Sequence, residues 1–330
     1  MAGPALQLCY HDHCFDGVAA SATFLRFYRD KLKAVEDVGF RGLAHRAGPI
    51  FDEGLFRGEV NAVVDFRFSQ DPRLTWWFDH HQSAFETPAD QAAFEADQSG
   101  RKFWDPRAKS CTRFLARIAS ERFGWDATPL AELIHWAEII DGALFGSPQV
   151  AVGLADPAMQ LMLLIEASKD RELGPRLIQE LSVRPLSQVL REPWVTGPLE
   201  PLLARHHELV RLVTARIQLD RGVATYDLVD LGVDSVNKFI AYAADPATLY
   251  TVSVTRGASR SKISLGSNPW RQQDRRHNLA QLAERFGGGG HPPVAAISFK
   301  PDELDRAREV ARGIADELRA PAPATSSSSP

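Results

Sequence analysis

Residues 7–17 of the chain, Gln-Leu-Cys-Tyr-His-Asp-His-Cys-Phe-Asp-Gly, join a short apolar run to a polar cluster. Apolar residues then recur at helical spacing from Val18 to Tyr28. This order predicts a buried strand, a polar loop and a helix that begins near Gly17. Two further apolar runs, Asn61–Phe66 and Thr75–Phe78, are typical of buried strands.

Helical patterns over Lys109–Phe123 and Ala131–Ile140 follow these strands. Strands that alternate with helices predict an α/β fold with a mostly parallel sheet. Ligands of such sheets bind at the carboxyl ends of the strands. The polar side chains that end the first three predicted strands should therefore gather along one edge of the sheet.

The length of the chain favours two domains, because its 330 residues exceed the roughly 250–300 at which single cores tend to split. The Leu-rich middle predicts helices with breaks at Gly174-Pro175, Arg184-Pro185 and Gly197-Pro198, and a long helix over Leu199–Ile217. After Gly222, strand patterns return at Val223–Val229, Leu249–Thr255, Lys262–Leu265 and Val294–Phe299. They predict a second, smaller α/β domain.

We therefore divide the chain into an N-terminal domain (residues 1–190), a helical connector (191–217), a C-terminal α/β domain (218–319) and a tail (320–330). The tail is rich in Pro, Ala and Ser, a composition that predicts disorder.

Composition and charge limit which binding partners and which cellular location we expect. The net charge of −4 gives no basic footprint for long duplex DNA. The first six residues lack the basic and apolar runs of a signal peptide, and no apolar stretch reaches the ~20 residues that span a bilayer. The three cysteines are too few for a disulfide framework and fit a reducing cytoplasm. We expect a cytoplasmic protein with no membrane partner.

The strongest local pattern is Asp79-His80-His81, directly after the predicted strand Thr75–Phe78. An isolated triplet of this kind is more often a solvated turn. Here Asp65 ends the preceding strand, the cluster within residues 7–17 follows the first strand, and Asp141 ends a helix. Carboxylates shared between two divalent ions are what a two-metal phosphoryl-transfer site requires.

These motifs resemble the DHH phosphoesterases, the superfamily of RecJ-type exonucleases, nano-RNases and cyclic-dinucleotide phosphodiesterases. Four N-terminal motifs carry the resemblance in order: His11 with Cys14-x-Asp16-Gly17, Asp65, Asp79-His80-His81 and Asp141. A fifth, Gly287-Gly288-Gly289-Gly290-His291, is similar to the glycine-rich signature of the DHH-associated C-terminal domain. The resemblance covers nearly the whole chain except the helical middle and the tail.

The resemblance implies a centre of two divalent metal ions, with manganese the expected ion. Asp65 would bridge the two ions, and His11 would bind one of them. The other ion would be completed by Asp16, His80 and Asp141. Asp79 and His81 would have the catalytic roles of orienting the ligands or the substrate phosphate and of assisting the leaving oxygen.

The chain departs from the family pattern at Cys14, where the family usually has an aspartate. A thiolate is a softer ligand, so Cys14 as a ligand would favour zinc or iron over manganese. Alternatively, Asp12 or His13 could supply the missing ligand, or the site could bind metal more weakly. A role for Cys14 as a nucleophile finds no support in a second cysteine or an acyl-transfer motif.

The glycine run precedes His291 and lies between a predicted helix, Asn278–Phe286, and the strand Val294–Phe299. Consecutive glycines let a backbone approach a ligand closely, and their exposed amides can form a nest for phosphate. We therefore expect the substrate to be bound by Gly288, Gly289, Gly290 and His291.

Together these inferences predict a metal-dependent phosphoesterase that cuts a phosphoester bond in a nucleotide or a short single-stranded oligonucleotide. The sequence leaves open whether the substrate is short RNA, short DNA, a cyclic dinucleotide or a bisphosphorylated nucleotide, and whether the protein is a homodimer. The alternatives are a nucleotide-bisphosphate phosphatase and a nucleotide-binding regulatory protein that has lost turnover because of Cys14.

Overall fold

The computed structural model describes residues 3–44, 50–233 and 236–320. The chain divides into two compact units, residues 1–145 with 154–203 and residues 146–153 with 204–330. Apart from Ala320, the proposed tail lies outside the described residues. Across the described ranges, every helix is too short or too polar to cross a bilayer.

The first unit contains a five-stranded sheet. Its strands are β1 (Leu6–His11), β2 (Val38–Leu43), β3 (Val60–Val64), β4 (Leu74–Asp79) and β5 (Lys102–Trp104). They lie in the order β2-β1-β3-β4-β5, and every neighbouring pair is parallel. The predicted α/β class with a parallel sheet is confirmed. The edge strands β2 and β5 were not predicted, and β3 ends at Val64, so that Asp65 follows the strand instead of closing it.

The α-helices before the second sheet are α1 (Phe15–Lys31), α2 (Pro88–Glu95), α3 (Cys111–Phe123), α4 (Ala131–Asp141), α5 (Pro148–Gly153), α6 (Pro157–Ala167), α7 (Leu173–Leu181), α8 (Leu186–Val189) and α9 (Pro193–Arg216). Most of them belong to the first unit, whereas α5 and the last part of α9 belong to the second. Helix α1 contacts α3, α4 and α7 and is buried on nearly all sides. A Cβ at Gly17 would lie 2.1 Å from the carbonyl oxygen of His11, so only glycine allows α1 to begin this close to β1.

Two of the three predicted helix breaks are wrong. Gly174-Pro175 lies in the first turn of α7, where proline removes no helical hydrogen bond. Gly197-Pro198 lies inside α9, which begins at Pro193, six residues before the predicted start. Val195 and Leu199 are buried in the core around Pro198, and we infer that their packing outweighs the hydrogen bond that proline removes. The break at Arg184-Pro185 is confirmed, since it separates α7 from α8.

The second unit contains a six-stranded mixed sheet. Its strands are β6 (Gln218–Asp220), β7 (Val223–Asp227), β8 (Tyr250–Arg256), β9 (Ser261–Ser267), β10 (Gly289–His291) and β11 (Val294–Phe299), and its later helices are α10 (Ile240–Ala244), α11 (Leu279–Glu284) and α12 (Leu304–Arg319). The order is β10-β11-β9-β8-β7-β6, with only β7 and β8 parallel among these pairs. Helix α12 packs its apolar stripe on β8 and β9. The second, smaller α/β domain is thus present.

Candidate metal centre

The predicted site residues of the first unit converge where β1, β3 and β4 end. His11 is the last residue of β1, Asp65 follows β3 directly, and Asp79 is the last residue of β4. These three strands are neighbours in a parallel sheet, so their carboxyl ends adjoin. Asp16 joins them from the first turn of α1, and Asp141 from the last residue of α4.

His80 stands among three carboxylates. Its Nε2 lies 3.3 Å from Asp141 Oδ2, 3.4 Å from Asp65 Oδ1 and 3.7 Å from Asp16 Oδ2. Its Nδ1 lies 3.1 Å from the carbonyl oxygen of Ala108. Because a carbonyl oxygen can only accept, Nδ1 carries the proton of this bond, and Nε2 is the nitrogen that faces the carboxylates. Asp16, His80 and Asp141 thus form one group whose ligand atoms lie within 4.8 Å of one another.

A second group of the same dimensions consists of His11, Cys14 and Asp65. The Nδ1 of His11 lies 3.3 Å from Asp65 Oδ2. Cys14 is the residue before α1, and its side chain makes no capping hydrogen bond to the helix. A third group, Asp65, His80 and His81, shares His80 with the first group and Asp65 with the second.

Asp65 occupies the position between the two sets. One of its carboxylate oxygens faces His11 and the other faces His80. Its side chain is 1% exposed, and its backbone has a φ of 58°, in the left-handed region that aspartate tolerates better than most residues. The Asp65 amide donates to the carbonyl oxygen of Phe78 at 2.9 Å, which holds this turn against β4.

Asp79 supports the two histidines that follow it. Its Oδ1 accepts hydrogen bonds from the amides of His80, at 2.8 Å, and His81, at 3.2 Å. The same oxygen lies 2.7 Å from His81 Nδ1. Asp79 is fully buried, whereas the His81 side chain is one-third exposed. Asp79 thus holds the turn and the His81 ring in place. Of the two side chains, only that of His81 is accessible to solvent.

Sequence reasoning missed the groups that hold Asp16 in place. The amides of Cys111 and Thr112, at the start of α3, donate to its two carboxylate oxygens at 2.6 and 3.1 Å. These amides are free for an external acceptor because the first turn of a helix lacks internal partners. Ser110 marks the helix start in the sequence, but its spacing could not show which carboxylate the helix would face.

The ionisable side chains of the centre change one another's pKa. Burial and the nearby carboxylates of Asp65 and Asp141 raise the pKa of Asp16, and burial with Asp65 raises the pKa of Asp141. Burial also opposes ionisation of Asp65, but the adjacent imidazoles of His11 and His80 outweigh it and lower the pKa of Asp65 to about 2. Burial disfavours the charged form of His80, but the facing carboxylates raise its pKa to about 10.

Buried polar atoms without hydrogen-bond partners show that the centre is suited to bind cations. Within the described ranges, Asp65 Oδ1, Asp79 Oδ2 and His80 Nε2 are buried and have no hydrogen-bond partner. Buried polar atoms are normally satisfied, and each one left unpaired is costly. A divalent cation would satisfy the lone pairs of Asp65 and deprotonated His80, and oxygen and imidazole donors suit such ions. The residues present therefore fit the metal ions that the sequence motifs imply.

The glycine run of the second unit differs in part from the phosphate nest that we expected. The amides of Gly287 and Gly288 donate to Glu284 and Ala283 and end α11, so the amide of Gly288 is not part of a phosphate nest. Gly289–His291 forms β10 against β11. A Cβ at Gly290 would lie 2.4 Å from the carbonyl oxygen of Val294, which explains that glycine by packing. Gly289, Gly290 and His291 are exposed and remain candidates for substrate contact.

Comparison with solved structures identifies the class of fold. The pGpG-specific phosphodiesterase PggH of Vibrio cholerae is similar over 95% of this chain and 99% of its own, with a TM-score of 0.65 and 18% identity. A DHH domain described as a member of the s1p family of ribosomal proteins is similar over 97% of this chain and 88% of its own, with a TM-score of 0.54 and 12% identity. No protein-family model matches the sequence, and no curated protein does. The chain has the fold of the DHH superfamily, as its motifs predict.

Proposed function

We propose that this chain is a metal-dependent phosphoesterase that hydrolyses a phosphoester bond in a nucleotide or a short single-stranded oligonucleotide. The observation that carries the proposal is the pair of ligand sets joined by Asp65. A shared carboxylate between two cation positions is the arrangement that in-line phosphoryl transfer uses. The similar Vibrio structure is named as a phosphodiesterase, and we propose the same class of bond for this chain.

When bound, two divalent ions would activate a water molecule and neutralise charge on the phosphoryl oxygens. His11 and Asp65 would hold one ion, with Cys14 as the third ligand. Asp16, His80 and Asp141 would hold the other, with Asp65 reaching both. Asp16 keeps its position through the start of α3, and His80 through the carbonyl oxygen of Ala108.

His81 is the best candidate for proton transfer to the leaving oxygen. Its hydrogen bond to Asp79 raises the pKa of its imidazole, so the protonated form persists to higher pH than in free histidine. Asp79 also fixes the orientation of the ring at 2.7 Å. A protonated, partly exposed imidazole beside the ligand sets suits a general acid.

The division of labour between the domains is part of the proposal. The N-terminal domain would carry out the chemistry, and the C-terminal domain would bind the substrate through Gly289, Gly290 and His291. Short substrates are favoured because the chain carries a net charge of −4 and so lacks overall attraction to a long polyanion. A reducing cytoplasm would keep Cys14 available as a thiol or thiolate.

The test is a substrate panel combined with metal analysis. Dinucleotides, short RNA, short DNA, cyclic dinucleotides and nucleotide bisphosphates are each incubated with manganese, magnesium, zinc and iron. We expect two metal equivalents per chain and hydrolysis of at least one phosphodiester. Release of phosphate from bisphosphates alone would indicate a phosphatase. Nucleotide binding without turnover, at one metal equivalent or none, would contradict the enzyme and favour a binding protein.

A further inference from the structure

The two ligand sets of the centre differ in their donor atoms. Two carboxylates and an imidazole make up one set, Asp16, His80 and Asp141. The other, His11, Cys14 and Asp65, offers an imidazole, a sulfur and a carboxylate. Hard oxygen donors suit manganese or magnesium, whereas sulfur selects softer ions. The positions are therefore chemically unequal, although they share Asp65.

The surroundings of Cys14 differ from those of the other cysteines. Cys9 and Cys111 are fully buried and belong to the two apolar cores of the first unit. Cys14 is part of neither core and is only half-buried. Its sulfur lies within 4.8 Å of ligand atoms of His11 and Asp65. Packing accounts for Cys9 and Cys111 but leaves the position of Cys14 unexplained.

The neighbouring residues do not replace Cys14 as a ligand. Asp12 and His13 are absent from all three groups of potential ligands found among the described residues. The His13 side chain is 51% exposed, and its Nε2 lies 3.7 Å from Asp12. Of the alternatives that the sequence left open at this position, the geometry favours sulfur.

We propose that the centre is heterometallic, with zinc selected at the His11–Cys14–Asp65 position and manganese at the Asp16–His80–Asp141 position. Zinc in catalytic sites takes three protein ligands from nitrogen, sulfur and oxygen and keeps a fourth place open, and this set supplies one of each. Cys14 is then the residue that sets the metal composition. The inference rests on the proposed function in one respect, namely that the centre holds two ions.

Cys14 lies at a position where it can be substituted without disturbing the fold. Cys14 is the N-cap of α1, where serine and aspartate are preferred and can accept a hydrogen bond from the helix amides. Cys14→Ser and Cys14→Asp should therefore fold, and the second restores a hard ligand. Cys9→Ala is the matched control, since it removes a fully buried sulfur that lies in neither ligand set.

Cobalt(II) titration tests the sulfur directly. Zinc binds most nitrogen and oxygen sites more tightly than manganese, so saturation with zinc would not distinguish the two positions. Added to metal-free protein, the first equivalent of cobalt should produce the full thiolate-to-cobalt charge-transfer absorption, and the second should add none. Cys9→Ala should keep this band, and Cys14→Ser should lose it. A band that survives in Cys14→Ser, or is absent from the wild type, overturns the inference.

Metal content gives the second readout. Metal-free protein receives one equivalent of zinc and an excess of manganese, and is then separated from free ions and analysed. The wild type should retain one zinc and one manganese. In Cys14→Ser the zinc affinity should fall at least about 100-fold, because losing a ligand exceeds the 10–100-fold effect of losing an outer partner. Two manganese ions in an active wild type refute only this inference, whereas failure to bind any ion refutes the proposed function as well.

Discussion

Asp65→Asn is the substitution that tests the centre most directly. Asparagine keeps the volume of the side chain and tolerates the φ of 58°, whereas alanine would add roughly 1 kcal/mol of backbone strain. The change removes the charged oxygen from both ligand sets at once. In the metal-free protein, it also removes the carboxylate whose contacts with His11 and His80 lower its pKa from 3.8 to about 2. That shift corresponds to about 2 kcal/mol of stability above pH 4, so a modest loss is expected.

The effect on activity should be much larger than the effect on stability. Each ion loses one protein ligand, and each loss should exceed the 10–100-fold effect of removing an outer partner. If each position loses about 100-fold in affinity, the two losses together amount to about 5 kcal/mol at 1.36 kcal/mol per tenfold. Hydrolysis that needs both ions should then fall at least about 10³-fold at limiting metal. Metal content should drop from two equivalents to one or none.

The assay is hydrolysis of the preferred substrate over a range of metal concentrations, with circular dichroism to confirm folding. Asp71→Asn is the matched control, because this carboxylate lies before β4, at the opposite end of that strand from Asp79, and pairs with Arg73 at the surface. The control should hydrolyse the substrate at a rate within about twofold of the wild-type rate. If Asp65→Asn retains more than a tenth of wild-type activity with two ions bound, Asp65 does not bridge the metals.

Four further predictions concern the metal centre and the substrate. Asp141→Asn should release one ion and keep the other, because Asp141 belongs to one ligand set only; loss of both ions by metal analysis would contradict this separation. His291→Ala should raise KM and leave metal content unchanged, and lost metal would make His291 a ligand. Without metal, the melting temperature should fall as pH rises from about 6.5 through 10, since His80 loses a proton that the folded state favours, and manganese should reverse this fall. Rates on dinucleotides should exceed rates on long single strands at fixed salt, and equal rates would favour a processive exonuclease.

The sequence was sufficient for the three central strands of the first sheet, the helix that follows β1 and the gathering of polar residues at one sheet edge. Buried parallel strands have continuous apolar runs, and each polar residue that ends such a run must lie at one edge of the sheet. That rule placed His11, Asp65 and Asp79 together without knowledge of the strand order. It failed for β2, whose mixed residues lie at an exposed edge, and for β5, which is only three residues long.

The contacts that hold the ligands could not be predicted, because they depend on long-range packing. The amides that fix Asp16 come from residues 95 and 96 positions later, and Ala108 reaches His80 across 28 positions. No residue pattern shows which distant side chain will bind the amides at a helix start or a backbone carbonyl group. The glycine run shows the opposite error: its composition suggested a nest of exposed amides, but the amides of Gly287 and Gly288 end α11 and the rest joins the sheet.

The balance of charge in the centre explains why metal binding, protonation and the stability of the fold should be linked. Asp16, Asp65 and Asp79 are buried together, and Asp141 lies close to them, so the uncompensated carboxylates would repel one another in a medium that screens them poorly. In the metal-free protein, protons on His80 and His81 supply positive charge, and protons on the carboxyl groups whose pKa is raised remove negative charge. A divalent ion needs His80 Nε2 without its proton, so binding must release protons, and affinity must rise with pH. Protons and metal ions thus compete for the same atoms.

Proton release on adding manganese, measured in two buffers of different ionisation enthalpy, should therefore be positive in the wild type and smaller in Asp141→Asn. Binding without proton release would mean that the ions lie elsewhere and that this cluster is a structural network.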